Sequence, residues 1–196
     1  TETDVRELGE KWGIDVASVE AGAMAERVND RLADNLDAVY DVPVASGASD
    51  PGERPWSGGT DRYNAIRVDC RVPPFADADD LLDGVTVGLK DLITVAGVPM
   101  RCGSAVMEGF VPSTDATVTT RLRQAGATVV AKTTMDEFAG GGRGRTARGL
   151  VRNPLDEGRI AGGSSGGSGA AVAAELVDVA LGTDTGGSTR KPAAFC

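Results

Sequence analysis

The residues of this chain best suited to chemistry lie in two serine-bearing glycine turns, Gly162-Gly163-Ser164-Ser165-Gly166-Gly167 and Thr183-Asp184-Thr185-Gly186-Gly187-Ser188-Thr189-Arg190. Glycines beside a serine open φ values closed to other residues and let main-chain N–H groups approach a ligand closely. One loop can then supply both a hydroxyl nucleophile and donors for the oxyanion it generates. Between the turns, Ala170 to Leu181 is apolar and compact, as expected for a buried helix running into a short strand. The turns are therefore two ends of one packed unit and can meet in space.

A serine nucleophile needs a base, and the chain contains no histidine. That excludes a Ser-His-Asp triad, a Cys-His dyad and any zinc site that depends on imidazole. The alternative base is Lys90, at the end of Gly84-Val85-Thr86-Val87-Gly88-Leu89, a stretch apolar enough for a central strand. Burial disfavours an ammonium, lowers its pKa and yields a neutral amine able to accept a proton. The competing reading is a strand-end lysine whose head reaches water; Lys90 gains weight only beside the serines. The first turn also reads as a flexible glycine-serine linker, which its direct run into Ala170-Ala171-Val172-Ala173-Ala174 opposes. A phosphate-binding P-loop fails, because Gly169 and Ala170 follow Ser168 where Lys and Ser or Thr are required. Gly140 to Gly144 loosely resembles a dinucleotide fingerprint but has no strand in front of it.

Acids outnumber bases by 29 to 20 for a net charge of -9, which argues against a nucleic-acid or anionic-membrane surface. Only four basic residues are lysines. The three cysteines, Cys70, Cys102 and Cys196, are widely spaced without CxxC pairing, so neither a disulfide framework nor a metal knuckle is indicated, and a reducing cytoplasm is expected. No apolar run of about 18 residues and no charged-then-apolar start is present, so no membrane span or signal peptide is read.

The elements that must position the turns follow from periodicity. A helix is expected at Thr3 to Trp12 and an amphipathic one from Val16 to Tyr40, then an exposed Pro/Gly/Ser-rich connector from Asp41 to Arg62. Beyond it, strands at Gly84–Leu89, Leu92–Val95, Thr128–Lys132 and Val177–Leu181 alternate with helices at Asp115–Gln124 and near Ala170. That alternation indicates an α/β fold with parallel or mixed layering. The domain reading is 1–62 for the N-terminal helices and linker and 63–196 for the catalytic portion.

From about Asn64 to Cys196 the chain resembles the amidase signature enzymes, serine hydrolases that cut carboxylic amides with a Ser-Ser-Lys triad. The resemblance rests on VGLKDLITVAGVPM, DATVTTRLRQAGATVVAKTTMDEF, RNP, GGSSGGS and GTDTGGSTRKPAAFC. It implies an α/β/α layered fold with a central mixed sheet, ended early at the C-terminus where relatives continue. It also implies Lys90 as base, Ser164 as bridging serine held through a cis peptide bond, and Ser188 as nucleophile. The oxyanion hole falls on the N–H groups of Thr185, Gly186, Gly187 and Ser188. Ser165 falls on a supporting serine, and Asp184 and Arg190 flank the loop as a bracing charge pair. No metal or organic cofactor is implied. The expected partner is a small amide, with no direct nucleic-acid or membrane contact and with a homodimer left open. Thr189, Lys191 and the arginine-rich Gly140–Leu150 depart from the family pattern. Three functions follow as expectations: an amidase releasing ammonia, the amidase subunit of a tRNA-dependent amidotransferase, which Met135-Asp136-Glu137-Phe138 resembles, and an inactive remnant.

Overall fold

The computed structural model describes residues 1–12, 15–17, 20–27, 29–30, 54–141 and 144–196. The chain divides into two compact units, Thr1–Ser46 and Gly47–Cys196. In the first, α1 spans Glu2–Trp12 and carries Glu2 and Asp4 in its first turn, where the helix dipole favours acids. Residues 20–27 and 29–30 are helical, whereas 15–17 are not, so the helix expected from Val16 begins later. Its continuation to Tyr40 lies outside the described residues, as does the connector from Asp41 to 53.

The second unit is built on a five-stranded sheet of order β1-β2-β4-β3-β9. Its strands are β1 (Trp56–Gly58), β2 (Ile66–Val72), β3 (Thr86–Lys90), β4 (Thr128–Thr133) and β9 (Val179–Leu181). The first two pairings are antiparallel, and β4, β3 and β9 run parallel to one another, so the sheet is mixed. Two small hairpins, β5 (Arg145–Thr146) with β6 (Gly149–Leu150) and β7 (Arg152–Asn153) with β8 (Asp156–Ile160), lie between β4 and the serine turns. The central strand β3 is nearly all buried, as a Val- and Leu-bearing run flanked on both sides should be.

Helix α2 (Thr117–Gln124) packs Val118 and Leu122 against a core of Val68, Val72, Val87, Leu89 and Val129. Helix α3 (Gly166–Ala173) contributes Ala170 and Ala171 to a second core with Ala65, Ile66, Ala131 and Val177. Gly167 fixes how closely α3 approaches the sheet: its N–H reaches Thr134 O at 2.9 Å, and a β-carbon there would stand 2.4 Å from Ala65 O and Thr134 N. The six-residue α4 (Arg190–Phe195) closes the chain.

Two expected elements differ. Leu92–Val95 is no strand: the chain turns at once after β3, with Ile93 N–H donating to Lys90 O at 2.7 Å, and Thr94 O is taken by Thr119 Oγ1 and Ala116 N. Ile93 and Val95 fill the core from an irregular loop while Leu92 is exposed, an outcome periodicity alone does not separate from a strand. The end of the expected connector holds an edge strand, since Trp56↔Cys70 and Gly58↔Val68 pair it with β2.

Next to Lys90, Asp91 carries a buried ion pair. Lys132 is fully buried and Asp91 is 1% exposed, with Nζ 3.2 Å from Oδ1. Asp91 Oδ2 accepts the Arg101 N–H at 2.9 Å. Removing one member of such a pair strands the other's charge and costs about 3–5 kcal/mol, whereas replacing both is often close to neutral. Lys132→Met is expected to lower stability by about that amount in chemical denaturation, and Lys132→Met/Asp91→Asn to recover much of the loss. A single variant as stable as the parent would show that the pair carries no such weight.

Candidate active site

The parallel strands β4, β3 and β9 end on the same side of the sheet, and the segments leaving them carry the polar groups of interest. Open α/β sheets place ligands beyond the carboxyl ends of their strands. Lys90 is the last residue of β3 and pairs with Thr133, while Leu89 pairs with Leu181. Gly182 and Thr183 therefore leave β9 level with the Lys90 side chain, and Thr134 to Asp136 leave β4 beside it.

Lys90 is completely buried. Its Nζ lies 2.8 Å from Ser164 Oγ and 2.7 Å from Thr183 Oγ1, with Thr183 O at 3.5 Å. Burial pushes its pKa down to about 8, against the opposing pull of the Asp136 and Asp184 carboxylates. At pH 7 roughly one amine in ten is then uncharged, far more than an exposed lysine would offer. Thr183 was not singled out from sequence. The signal was its place immediately beyond β9, which becomes readable only once β9 is known to pair with β3.

Ser164 and Ser165 are fully buried at the start of α3, and the peptide between Gly163 and Ser164 is cis. A β-carbon at Gly163 would stand 2.6 Å from Asp136 Oδ2, so a side chain there would have to displace the buried carboxylate. Asp136 N–H donates to Ser164 O at 3.0 Å, tying the exit of β4 to the serine turn. Asp136 is 1% exposed and is the second residue that sequence reasoning left without a site role.

The second turn is held against the first by Ser165, whose N–H donates to Ser188 O at 3.0 Å and whose Oγ accepts Thr183 N–H at 3.3 Å. Ser165 Oγ also lies 3.5 Å from Thr189 Oγ1. Asp184 gathers the loop from outside: Oδ1 accepts the N–H of Gly187 at 2.7 Å, and Oδ2 accepts those of Thr189 and Arg190 at 3.0 Å. The Arg190 guanidinium closes a fork on the same carboxylate, at 3.1 Å and 3.0 Å. The Arg190 fork and these backbone donors hold the Asp184 carboxyl far below the usual carboxylate range.

The expected residues are thus gathered in one place, with two differences. Ser188 is half-buried, and among the described residues no hydrogen bond joins its hydroxyl to Ser164 Oγ. Of the four expected oxyanion donors, Gly187 has its N–H committed to Asp184, while those of Thr185, Gly186 and Ser188 have no partner among the described residues. Lys191 is exposed, and its Cε would lie 2.9 Å from a β-carbon at Gly187. Its stem lies over the loop while Lys90 sits beneath. Among the described residues no group of three or more Cys, Asp or Glu is disposed to hold a metal ion, and no helix is long and apolar enough to cross a membrane.

Known proteins share sequence and fold with this chain. A glutamyl-tRNA(Gln) amidotransferase subunit from Natronomonas pharaonis is 55% identical over 135 residues, covering 68% of this chain and 31% of that protein. The solved subunit of the same name from Thermotoga maritima superposes with a TM-score of 0.57 at 47% identity, over 58% of this chain and 25% of that one. Peptide amidase from Stenotrophomonas maltophilia does so with a TM-score of 0.55 at 44% identity, over 58% and 24% respectively. The chain spans less than a third of the length of these relatives. The sequence profile of the family described as Amidase matches residues 63–196, and the chain belongs to that family.

Proposed function

We propose that this chain carries the nucleophile, relay and base of an amidase that hydrolyses a carboxylic amide to a carboxylate and ammonia through an acyl-enzyme. The observation that carries the reading is the fully buried Lys90 amine within 2.8 Å of Ser164 Oγ, with the Ser188 loop bound to the next residue. In this reading neutral Lys90 accepts the Ser164 hydroxyl proton as Ser164 accepts that of Ser188. The Ser188 oxygen adds to the amide carbonyl carbon, and the carbonyl π pair moves onto oxygen. The N–H groups of Thr185, Gly186 and Ser188 receive that charge, each such donor being worth about 3–4 kcal/mol to the transition state where measured. Collapse breaks the C–N bond, and the proton returns along Ser164 to the leaving nitrogen. Water then cleaves the Ser188 ester by the same relay. The relay requires Ser188 Oγ to rotate into hydrogen-bond reach of Ser164 Oγ, a closure that catalytic contacts commonly make only with substrate bound. Ser165, Asp184 and Arg190 hold the loop, and Thr183 and Asp136 position Lys90.

A second reading has its own support: the curated relative at 55% identity is named as an amidotransferase subunit. In it the same chemistry passes ammonia to a partner acting on glutamyl-tRNA(Gln) instead of releasing it. Co-purification with such a partner, together with glutaminase activity, would favour transfer. The three free thiols fit a reducing cytoplasm for either.

Ser188→Ala and Lys90→Ala are each expected to reduce amide turnover by at least about a thousandfold with an unchanged circular-dichroism spectrum. A fluorophosphonate probe should label Ser188 in the parent and nothing in Ser188→Ala. Turnover of Ser188→Ala within tenfold of the parent would overturn the assignment. The pH dependence follows from the lowered lysine pKa: the neutral base is lost as pH falls through about 8. kcat/KM should therefore decline roughly tenfold per pH unit below pH 7 and level off above pH 9. A profile flat from pH 6 to 9 would remove Lys90 from the role of base.

A further inference from the structure

Three arginines distant in sequence converge on one cavity of about 170 Å³. Arg67 comes from β2, Arg101 from the loop after β3, and Arg148 from the turn between β5 and β6. Asp91, Ser104, Glu108, Thr134 and Thr146 complete its polar lining. In a chain of net charge -9 such a gathering of one sign is costly unless something answers it.

The carboxylates nearby answer only part. Asp91 is already paired with Lys132 at 3.2 Å, and Glu108 sits on Arg101. Arg148, exposed at the rim, donates among the described residues to a neutral carbonyl, Gly59 O, at 3.1 Å. The Arg67 guanidinium has neither a hydrogen bond nor an ion pair among the described residues. Burial, with Arg101 and Arg148 close by, holds it below the ordinary arginine range. Asp91 and Glu108 act on Arg67 only from a distance, so among the described residues two of the three guanidiniums around the cavity have no carboxylate paired with them. Thr134, 2% exposed and on its wall, has a hydroxyl with no hydrogen-bond partner among the described residues. A buried polar group left in that state costs free energy that a ligand oxygen would recover.

We propose that Arg67, Arg101 and Arg148 form a binding site for a doubly charged tetrahedral oxyanion, phosphate in chemical class, separate from the serine and lysine site. Guanidinium forks bind two oxygens at once and suit phosphate and carboxylate alike. The charge count separates the two. A phosphate monoester carries about -1.5 to -2 near neutral pH and matches the two unanswered guanidiniums, whereas a monocarboxylate answers one. The volume corresponds to roughly six waters at about 30 Å³ each, enough for one such group. The wall joins the other site through the chain itself: Asp91 follows Lys90, and Asp136, after Met135 of the lining, donates to Ser164 O.

The test is thermal denaturation and titration calorimetry with inorganic phosphate, against acetate and chloride at matched ionic strength. Ligand binding to the native state alone raises the midpoint in a saturable, concentration-dependent way. Phosphate should do so and the two controls should not. Arg67→Gln and Arg148→Gln should each weaken phosphate binding at least tenfold, and each should raise the midpoint in phosphate-free buffer, because a repelling charge has gone. Arg159→Gln, at an exposed pair with Asp156, should change neither. If the variants do not fold, phosphate should protect Arg148 of the parent protein from phenylglyoxal, read by mass spectrometry. A phosphate response no larger than that to acetate or chloride, binding undiminished in Arg67→Gln/Arg148→Gln, or unprotected Arg148 would each overturn the proposal.

Discussion

The desolvated amine of Lys90 is the constraint around which this fold is arranged. A lysine with no exposed surface is tolerable only if its donors find acceptors and its charge is partly relinquished. Both conditions are met by groups drawn from different elements: Ser164 before α3 and Thr183 beyond β9 accept from Nζ, while burial pulls the pKa to about 8. Neither acceptor can reach the amine unless β9 pairs in parallel with β3 and α3 presses against the exit of β4. The packing of the sheet and the chemistry of the site are therefore one requirement.

That requirement explains where glycine is needed for close approach. At Gly163 a side chain would run into the Asp136 carboxylate, and at Gly167 into the main chain of Ala65 and Thr134. Both lie in a segment that reads by composition as a linker, yet both are buried. Here glycine serves close approach of backbone to backbone and to a buried carboxylate, and it is the neighbours of the turn that distinguish this use from flexibility.

Much of this was legible in the sequence because the decisive signals are local. The absence of histidine, the apolar run ending in Lys90 and the two glycine-serine turns could be read without coordinates, and the strands β3, β4 and β9 lie within the expected spans, to a residue at their ends. The misreadings concern residues whose role is set by distant partners. Leu92–Val95 is as apolar as a strand but turns because Ile93 bonds back to Lys90 O. Residues 56–58 sit in a Pro/Gly-rich stretch yet pair with β2. Thr183, Asp136 and Lys132 gained meaning only from strand register, and the commitment of Gly187 N–H to Asp184 follows from loop geometry that no spacing rule supplies.

The two buried lysines of β3 and β4 show how register alone divides labour. Lys90 pairs with Thr133 and Lys132 with Leu89, and because side chains alternate along a strand the two amines stand on opposite faces of the sheet. Burial lowers the pKa of both. On one face Lys132 meets Asp91, an anion that favours the ammonium and makes the pair structural. On the other, the Lys90 amine meets the hydroxyls of Ser164 and Thr183 and the Thr183 carbonyl, while Thr133 Oγ1 meets Ser168 Oγ of α3 at 2.7 Å. Of the carboxylates that act on Lys90, those of Asp136 and Asp184, the latter is spent on Arg190 and the loop amides. A shift of one residue in the β3–β4 register would turn one strand's side chains to the opposite face, parting Lys132 from Asp91 and setting both amines on the same side of the sheet, so the ion pair and the proton-accepting amine both depend on this register.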